Sequence, residues 1–256
     1  MGRLVQRIRE PLIFASLVCV VGLLGSLFLW QIDDRHWQEV NVWIKPSKFF
    51  LSIAIYLFTL HFYIGWIAQL EQAKSRLANF AIISMGIELV CILLQSARGV
   101  GSHFNTALPF DGVIYGIMGV FAFAQIPFAA ILIFYLWKHS VPLSKTMRTG
   151  VFWGLAVFLI GCVQAGFMAS GTGHSVGGSG GASLPFLGWS LEHGDLRVAH
   201  FVGLHGLQIF ALLGYSLQNN RGGKWLIHGT GSLYFAWVLL LWWTALQGKP
   251  FFPTSI

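Results

Sequence analysis

Two segments of this sequence place basic, acidic and imidazole side chains at the ends of very apolar stretches. They are SARGVGSHFN, from Ser96 to Asn105, and EHGDLRVAHFVGLHGLQ, from Glu192 to Gln208. Ionisable side chains are costly in apolar surroundings and are usually retained there for a function. Imidazoles bind zinc, copper and iron, and guanidinium groups bind anions. The two segments therefore predict a site for metal or redox chemistry, for anion binding, or for both.

Four histidines are the candidate metal ligands, and they are His103, His174, His200 and His205. His200 and His205 are five residues apart, a poorer chelating pair than two histidines at i and i+4. One metal held by both would need a ligand from elsewhere, such as His103 or His174. We expect His200→Ala and His205→Ala, made singly, to abolish bound metal. The structural alternative is that His200, His205 and Arg197 are only hydrogen-bonded inside a polar bundle core.

Three further residues are candidate catalytic groups: Glu88, Asp195 and Arg197. Glu88 is the only acid deep in an apolar stretch, so it must be protonated or paired. Asp195 and the nearby Glu192 could orient an imidazole N–H, pair with Arg197 or cap a helix.

Five polar residues are candidate substrate-binding groups, and they are Lys48, Tyr56, Gln95, Arg98 and Gln208. Each also has a structural explanation. Lys48 could extend to lipid headgroups, Arg98 suits the negative end of a helix dipole, and tyrosines often form interhelical hydrogen bonds. Asp111 could likewise cap a helix.

Composition predicts the elements that position these groups. Hydrophobic residues make up 55% of the chain and charged residues 10%, with a mean hydropathy of +0.68, which is typical of an integral membrane protein. Stretches long enough to cross a bilayer predict an all-α, polytopic fold with seven transmembrane helices. They run over Pro11–Ile32, Pro46–Leu70, Leu77–Arg98, Gly112–Trp137, Gly150–Ser170, Leu196–Leu217 and Trp225–Gln247. We expect one domain over residues 1–256.

The distribution of loop charge predicts a cytoplasmic N-terminus and an extracytoplasmic C-terminus. Arg3, Arg7 and Arg9 precede the first stretch. Most of the remaining Lys and Arg lie in the second, fourth and sixth connections between helices, which are on the same side of the membrane as the N-terminus. Most acids and most of the nine histidines fall on the other side, so the site should face the periplasm or cell exterior. The net charge of +7 then reflects topology. No nucleic-acid partner is expected, because no basic cluster lies beside exposed aromatic residues.

Three local patterns add detail. At 100° per residue, Lys48, Ser52, Tyr56, Thr59 and Tyr63 form a polar stripe that should face the interior of the helix bundle. Pro127 should kink the fourth helix. A glycine-rich extracytoplasmic loop over residues 171–194 is either a lid over the site or merely mobile.

The strings WIKPSKF, SARGVGSHFN and GDLRVAHFVGLH occur in that order along the seven predicted helices. Together they resemble a family of uncharacterised bacterial membrane proteins, and the likeness covers nearly the whole chain. The resemblance implies a seven-helix protein of the bacterial inner membrane and brings no activity with it.

Three functions remain open from the sequence. The first is a membrane oxidoreductase or hydrolase with zinc, copper, iron or haem, acting on a lipid or quinone-like substrate. The second is a metal-free transporter, or a lipid- or anion-binding protein, that uses the same charge network. The third is a structural subunit of a membrane complex. A homo-oligomer is compatible with each of them.

Overall fold

A computed structural model describes residues 10–171 and 173–252 of this chain. Within those residues, seven helical segments are long and apolar enough to cross a membrane. The prediction of an all-α, seven-span membrane protein is therefore confirmed. The orientation of the termini stays a prediction, and Arg3, Arg7 and Arg9, on which it partly depends, lie outside the described residues.

The described chain divides into two compact units. The first covers residues 10–122 and 135–141, and the second covers residues 123–134 and 142–252 without residue 172. The prediction of a single domain stays a prediction.

The first unit is built on three long helices. They are α1 (Pro11–Ile32), α2 (Ile44–Gly65) and α3 (Glu71–Ala97), with a short hairpin of β1 (His36–Trp37) and β2 (Val40–Asn41) between α1 and α2. The five-residue connection makes α2 and α3 antiparallel neighbours. We name the end where α2 begins and α3 ends the His103 end, and the opposite one the His61 end. At the latter, His61 Nδ1 lies 2.7 Å from a carboxylate oxygen of Glu10.

The fourth span consists of α4 (Pro109–Phe123) and α5 (Gln125–His139), which are separated at Ala124. Pro127 has no amide hydrogen to donate to the carbonyl of Phe123, four residues earlier. The interruption therefore falls where a proline at position 127 removes a helical hydrogen bond.

The second unit contains α6 (Lys145–Ser170), α7 (Leu196–Ser216) and α8 (Gly223–Leu246). The helix α6 begins earlier than its apolar stretch because Ser144 caps it, accepting a hydrogen bond from the Met147 amide at 3.0 Å. Glycines bring α6 and α7 into backbone contact. A Cβ on Gly161 would lie 2.9 Å from the Leu204 nitrogen, and one on Gly203 would lie 2.9 Å from the Gly161 Cα.

The glycine-rich loop between α6 and α7 has defined hydrogen bonds in its described part. Its strands β3 (Ser175–Val176) and β4 (Gly194–Asp195) pair antiparallel. Within residues 182–192, the Leu184 amide donates to the Trp189 carbonyl and the Leu191 amide donates to the Ala182 carbonyl. These hydrogen bonds give the described part of the loop a defined fold. The loop between α6 and α7 is here called the strap.

Candidate functional site

One ionisable cluster of the first unit consists of Lys45, Glu88 and His103, and it is here called the Glu88 cluster. The ammonium of Lys45, in the first turn of α2, lies 2.9 Å from His103 Nδ1. The other ring nitrogen, Nε2, lies 3.4 Å from Oε1 of Glu88. Glu88 is only 6% exposed, and its Oε2 has no hydrogen-bond partner among the described residues. A buried carboxyl with one oxygen still available is a site that can take up a proton.

The contacts of His103 determine which ring nitrogen carries its proton. A lysine ammonium can only donate, so Nδ1 of His103 accepts from Lys45. The neutral imidazole then carries its hydrogen on Nε2, directed at Glu88. The Nε2–Oε1 distance is a few tenths of an ångström longer than a hydrogen bond, so a small movement completes it. In this tautomer the Nδ1 lone pair is engaged by Lys45 and Nε2 carries the hydrogen.

Aromatic rings surround this imidazole. The ring centroids of Phe49, Phe104 and Tyr115 lie 5.8, 6.4 and 6.3 Å from that of His103. The side chain of His103 is nevertheless 28% exposed, whereas that of Glu88 is 8% exposed, so the imidazole lies between the buried carboxyl and the surface.

A second polar group lies near the His103 end. Asp111 is buried in the first turn of α4 and pairs with Arg98, while the Gln95 amide donates to its Oδ1 at 2.9 Å. Arg98 also donates to Oε1 of Gln95 and follows the last residue of α3, where a cation suits the helix dipole. Three residues that the sequence singles out are thus brought together.

Another arginine at this end is held in the same way. Arg35 pairs with Asp33 at 2.7 Å and donates to the Ala97 carbonyl at 2.9 Å, which ties the β1–β2 hairpin to the end of α3. Hydrogen bonds from Arg35 and Trp43 hold the pKa of Asp33 well below its usual range.

The second unit has a third pair of this kind, Asp195 with Arg197. Asp195 caps α7 by accepting from the Arg197 amide at 3.0 Å, and it pairs with the Arg197 guanidinium at 2.6 Å. It also accepts from the Ser190 amide at 3.1 Å, and Arg197 donates to the Gly188 carbonyl. Burial alone would raise the pKa of Asp195. The hydrogen bond and charge of Arg197, helped by the Ser190 amide and the charge of His174, outweigh burial and lower it.

Two of these three pairs bear on the anion-binding hypothesis, which would use Arg98 and Arg197 for a substrate. In each of the two, an aspartate already neutralises the guanidinium. The geometry therefore favours a positioning role for Arg98 and Arg197. Asp195 shows two of the predicted alternatives at once, because it both caps the helix and pairs with Arg197.

The two histidines of α7 each bond a backbone carbonyl. His200 Nδ1 donates to Gly161 at 2.8 Å, and His205 Nδ1 donates to Phe201 at 2.8 Å, since a carbonyl can only accept. Nε2 of each neutral ring then keeps its lone pair, an arrangement that metal-binding histidines also use. Among the described residues, however, no group of three or more His, Cys, Asp or Glu side chains is arranged to hold a metal ion. The metal- or haem-dependent enzyme stays a prediction.

The remaining predicted residues lie partly buried: Lys48, Tyr56, His174 and Gln208. Ser52, a member of the predicted polar stripe, is exposed. Thr59 donates to the Ile55 carbonyl of its own helix, so this hydroxyl has the structural role that the sequence left open.

No family model, curated protein or solved structure matches this chain.

Two residues are absent from the sequence-based candidates. Lys45 lies beside Lys48 in a position typical of lysines that extend to headgroups, and only the structure pairs it with His103. Gln164 is 1% exposed in α6, and neither atom of its amide has a hydrogen-bond partner among the described residues. The sequence signal that could have found Gln164 is its position as a lone glutamine within an apolar stretch.

Proposed function

We propose that this chain is a metal-free membrane transporter of protons, with Glu88 as its buried proton-binding group. His103 passes the proton between Glu88 and the His103 end of the first unit. As its Nε2 gives a proton to Glu88, its Nδ1 takes one from the Lys45 ammonium or from the Ser102 hydroxyl, which lie 2.9 and 3.2 Å away. The predicted orientation of the termini puts this end on the extracytoplasmic side.

The observation that supports the proposal is the contact of a buried carboxyl with an imidazole whose tautomer is set by a lysine. Intramembrane Asp, Glu and His side chains are the usual components of proton relays. Histidine suits the shuttle because its two nitrogens can exchange roles as donor and acceptor near neutral pH. The paired state of Arg98 and Arg197 argues against an anion as the principal ligand.

The proposal is tested by proton flux into liposomes that contain the purified full chain and a trapped pH-sensitive dye. A potassium gradient with valinomycin supplies the driving voltage. We expect flux above that of empty liposomes, and a decrease of at least about tenfold in Glu88→Gln, because an amide cannot take up the proton. Lys45→Met should reduce flux less, because the Ser102 hydroxyl, 3.2 Å from Nδ1, can still supply a proton to the imidazole.

The matched control is Glu71→Gln. Glu71 is at the start of the same helix, its side chain is 82% exposed, and it pairs with Lys74. Its flux should equal that of the wild type. A wild-type protein that conducts no better than empty liposomes, or a Glu88→Gln variant with normal flux, would contradict the proposal.

A further inference from the structure

The strap contains a tight turn of apolar residues, Leu184 to Trp189, with the sequence LPFLGW. We call residues 184–189 the apolar turn. The Gly188 amide donates to the Leu184 carbonyl at 2.8 Å, and the Leu184 amide donates to the Trp189 carbonyl at 2.8 Å. The sequence has no Asp, Glu, Lys or Arg from residue 171 to residue 191. The turn is therefore closed by its own backbone and lies in an uncharged segment.

The middle of the apolar turn exposes a large apolar side chain. Phe186 is 42% exposed, and its φ of 61° is in the left-handed region, which is uncommon for a bulky residue. A phenylalanine thus lies at the surface in a backbone conformation that would suit glycine better.

Two contacts fix the apolar turn against α7. Arg197, in the first turn of this helix, donates to the Gly188 carbonyl. The Trp189 ring centroid lies 5.3 Å from that of Phe201, and Trp189 also packs against the buried cluster that contains Val198. The position of the turn relative to the start of α7 is therefore defined.

The length of α7 gives the depth of these contacts in a bilayer. Its 21 residues span about 31 Å at about 1.5 Å per residue, and the hydrocarbon core is about 30 Å thick. Leu196, the first residue of α7, then lies near the boundary of the hydrocarbon. Phe201 is five residues further on, and Trp189 contacts it, so Trp189 lies at the membrane interface, where tryptophan is enriched.

The face of α7 that carries Phe201 is exposed along the helix. Phe201 and Leu212 lie within about 20° of each other around the axis, and they are 40% and 66% exposed. Phe210 is on the opposite side, about 180° from Phe201, and is buried. Apolar side chains that are exposed on a membrane-crossing helix contact lipid, so lipid lies beside Phe201 and the apolar turn.

A second tryptophan marks the same level on α8. This helix returns across the membrane from the end of α7 and finishes at Leu246. Trp243, three residues before that end, is 62% exposed. Exposed tryptophans at the ends of spans are typical of the interface.

We infer that the apolar turn inserts into the membrane interface beside α7 and places Phe186 among the lipid chains. The partner is the bilayer itself, bound through apolar contact and not through charge. The strap then acts as a lipid anchor for the second unit, which differs from both sequence-based alternatives, a lid and a merely mobile loop. The inference does not depend on the proposed proton transport.

The experiment measures the depth of a nitroxide spin label attached to Phe186→Cys. The label is placed on the full chain after the three native cysteines, all buried, have been replaced by alanine, and the protein is inserted into phosphatidylcholine liposomes. Oxygen concentrates in the hydrocarbon, whereas a nickel chelate stays in water. We expect the label to collide severalfold more with oxygen than with the chelate. The ratio should be the same in liposomes that contain phosphatidylglycerol, because the turn carries no charge.

The matched control is Ser179→Cys, an exposed position of the same strap outside the apolar turn. Its label should collide mainly with the nickel chelate. Pro185→Cys is a second probe of the turn, at another exposed position. Protection of the Leu191 amide against hydrogen exchange shows that the strap is folded in each labelled variant, and Pro185→Cys decides the test if Phe186→Cys loses this protection.

Two results would overturn the inference. A label in the turn that prefers the nickel chelate, as at Ser179, would put the turn in water. A label shielded from both reagents would show that protein covers the turn, as in an interface with a second copy of the chain. Proton flux enters neither result, so failure of the proposed function would leave the lipid anchor standing.

Discussion

Replacing Asp195 with alanine should release the strap between α6 and α7. The change removes the cap of α7, worth about 1 kcal/mol, together with the bonds to Arg197 and the Ser190 amide. Charge-assisted bonds to a buried carboxylate contribute about 2 kcal/mol after a discount for Arg197, whose side chain is 33% exposed. The total of about 3 kcal/mol lowers the free energy of local opening and raises its equilibrium population about a hundredfold.

Amide hydrogen exchange on the protein in detergent micelles or nanodiscs measures this opening. The Ser190 amide loses its acceptor directly, and the Leu191 amide, bonded to the Ala182 carbonyl, reports the rest of the strap. Asp195→Asn retains a capping side chain and should have a smaller effect. Glu192→Ala, which removes one exposed contact to the Ala182 amide, should change exchange only a few-fold. Normal protection of Ser190 and Leu191 in Asp195→Ala would refute the reasoning.

Acid should open the strap as well. Because the folded-state pKa of Asp195 is lowered, its stabilisation is fully present above the unfolded value of about 4 and is lost as pH falls through the folded value. Protection of Leu191 should therefore be constant between about pH 5 and pH 7 and decrease only below about pH 4. In Asp195→Asn this acid dependence should disappear.

Two further results are expected. Gly161→Ala should lower the stability of the protein by about 1–3 kcal/mol, measured as thermal unfolding in detergent, because its new methyl group would meet the backbone of α7. Gly86→Ala on α3 should not do so, because nothing lies within 4 Å of the place its methyl group would take. Proton flux should survive treatment with a strong chelator, because the Glu88 cluster needs no metal; loss of flux that returns on adding zinc, copper or iron would instead support the predicted metal centre.

The spans were predictable from sequence because apolar length determines which segments can cross a bilayer. The residues at which the helices begin and end were harder to predict. The helix α3 begins at Glu71 rather than Leu77, since its first turns carry polar residues that a hydropathy criterion excludes but a helix accommodates. The fourth span consists of two helices, and Pro127 was the visible reason.

The candidate site was partly predictable. Glu88 and His103 stand out by type and position, yet their contact depends on how the loop after α3 folds back, which no spacing rule gives. Arg98 and Asp111 are 13 residues apart in sequence, and only the turn between α3 and α4 brings them together. The roles of His200 and His205 depend on the carbonyls they bond, and tertiary packing determines the Gly161 contact of His200.

The glycine contact between α6 and α7 restricts which residues two positions of the second unit can hold. A Cβ on Gly161 or on Gly203 would lie 2.9 Å from an atom of the other helix. Any larger residue at either position would therefore force the two backbones apart.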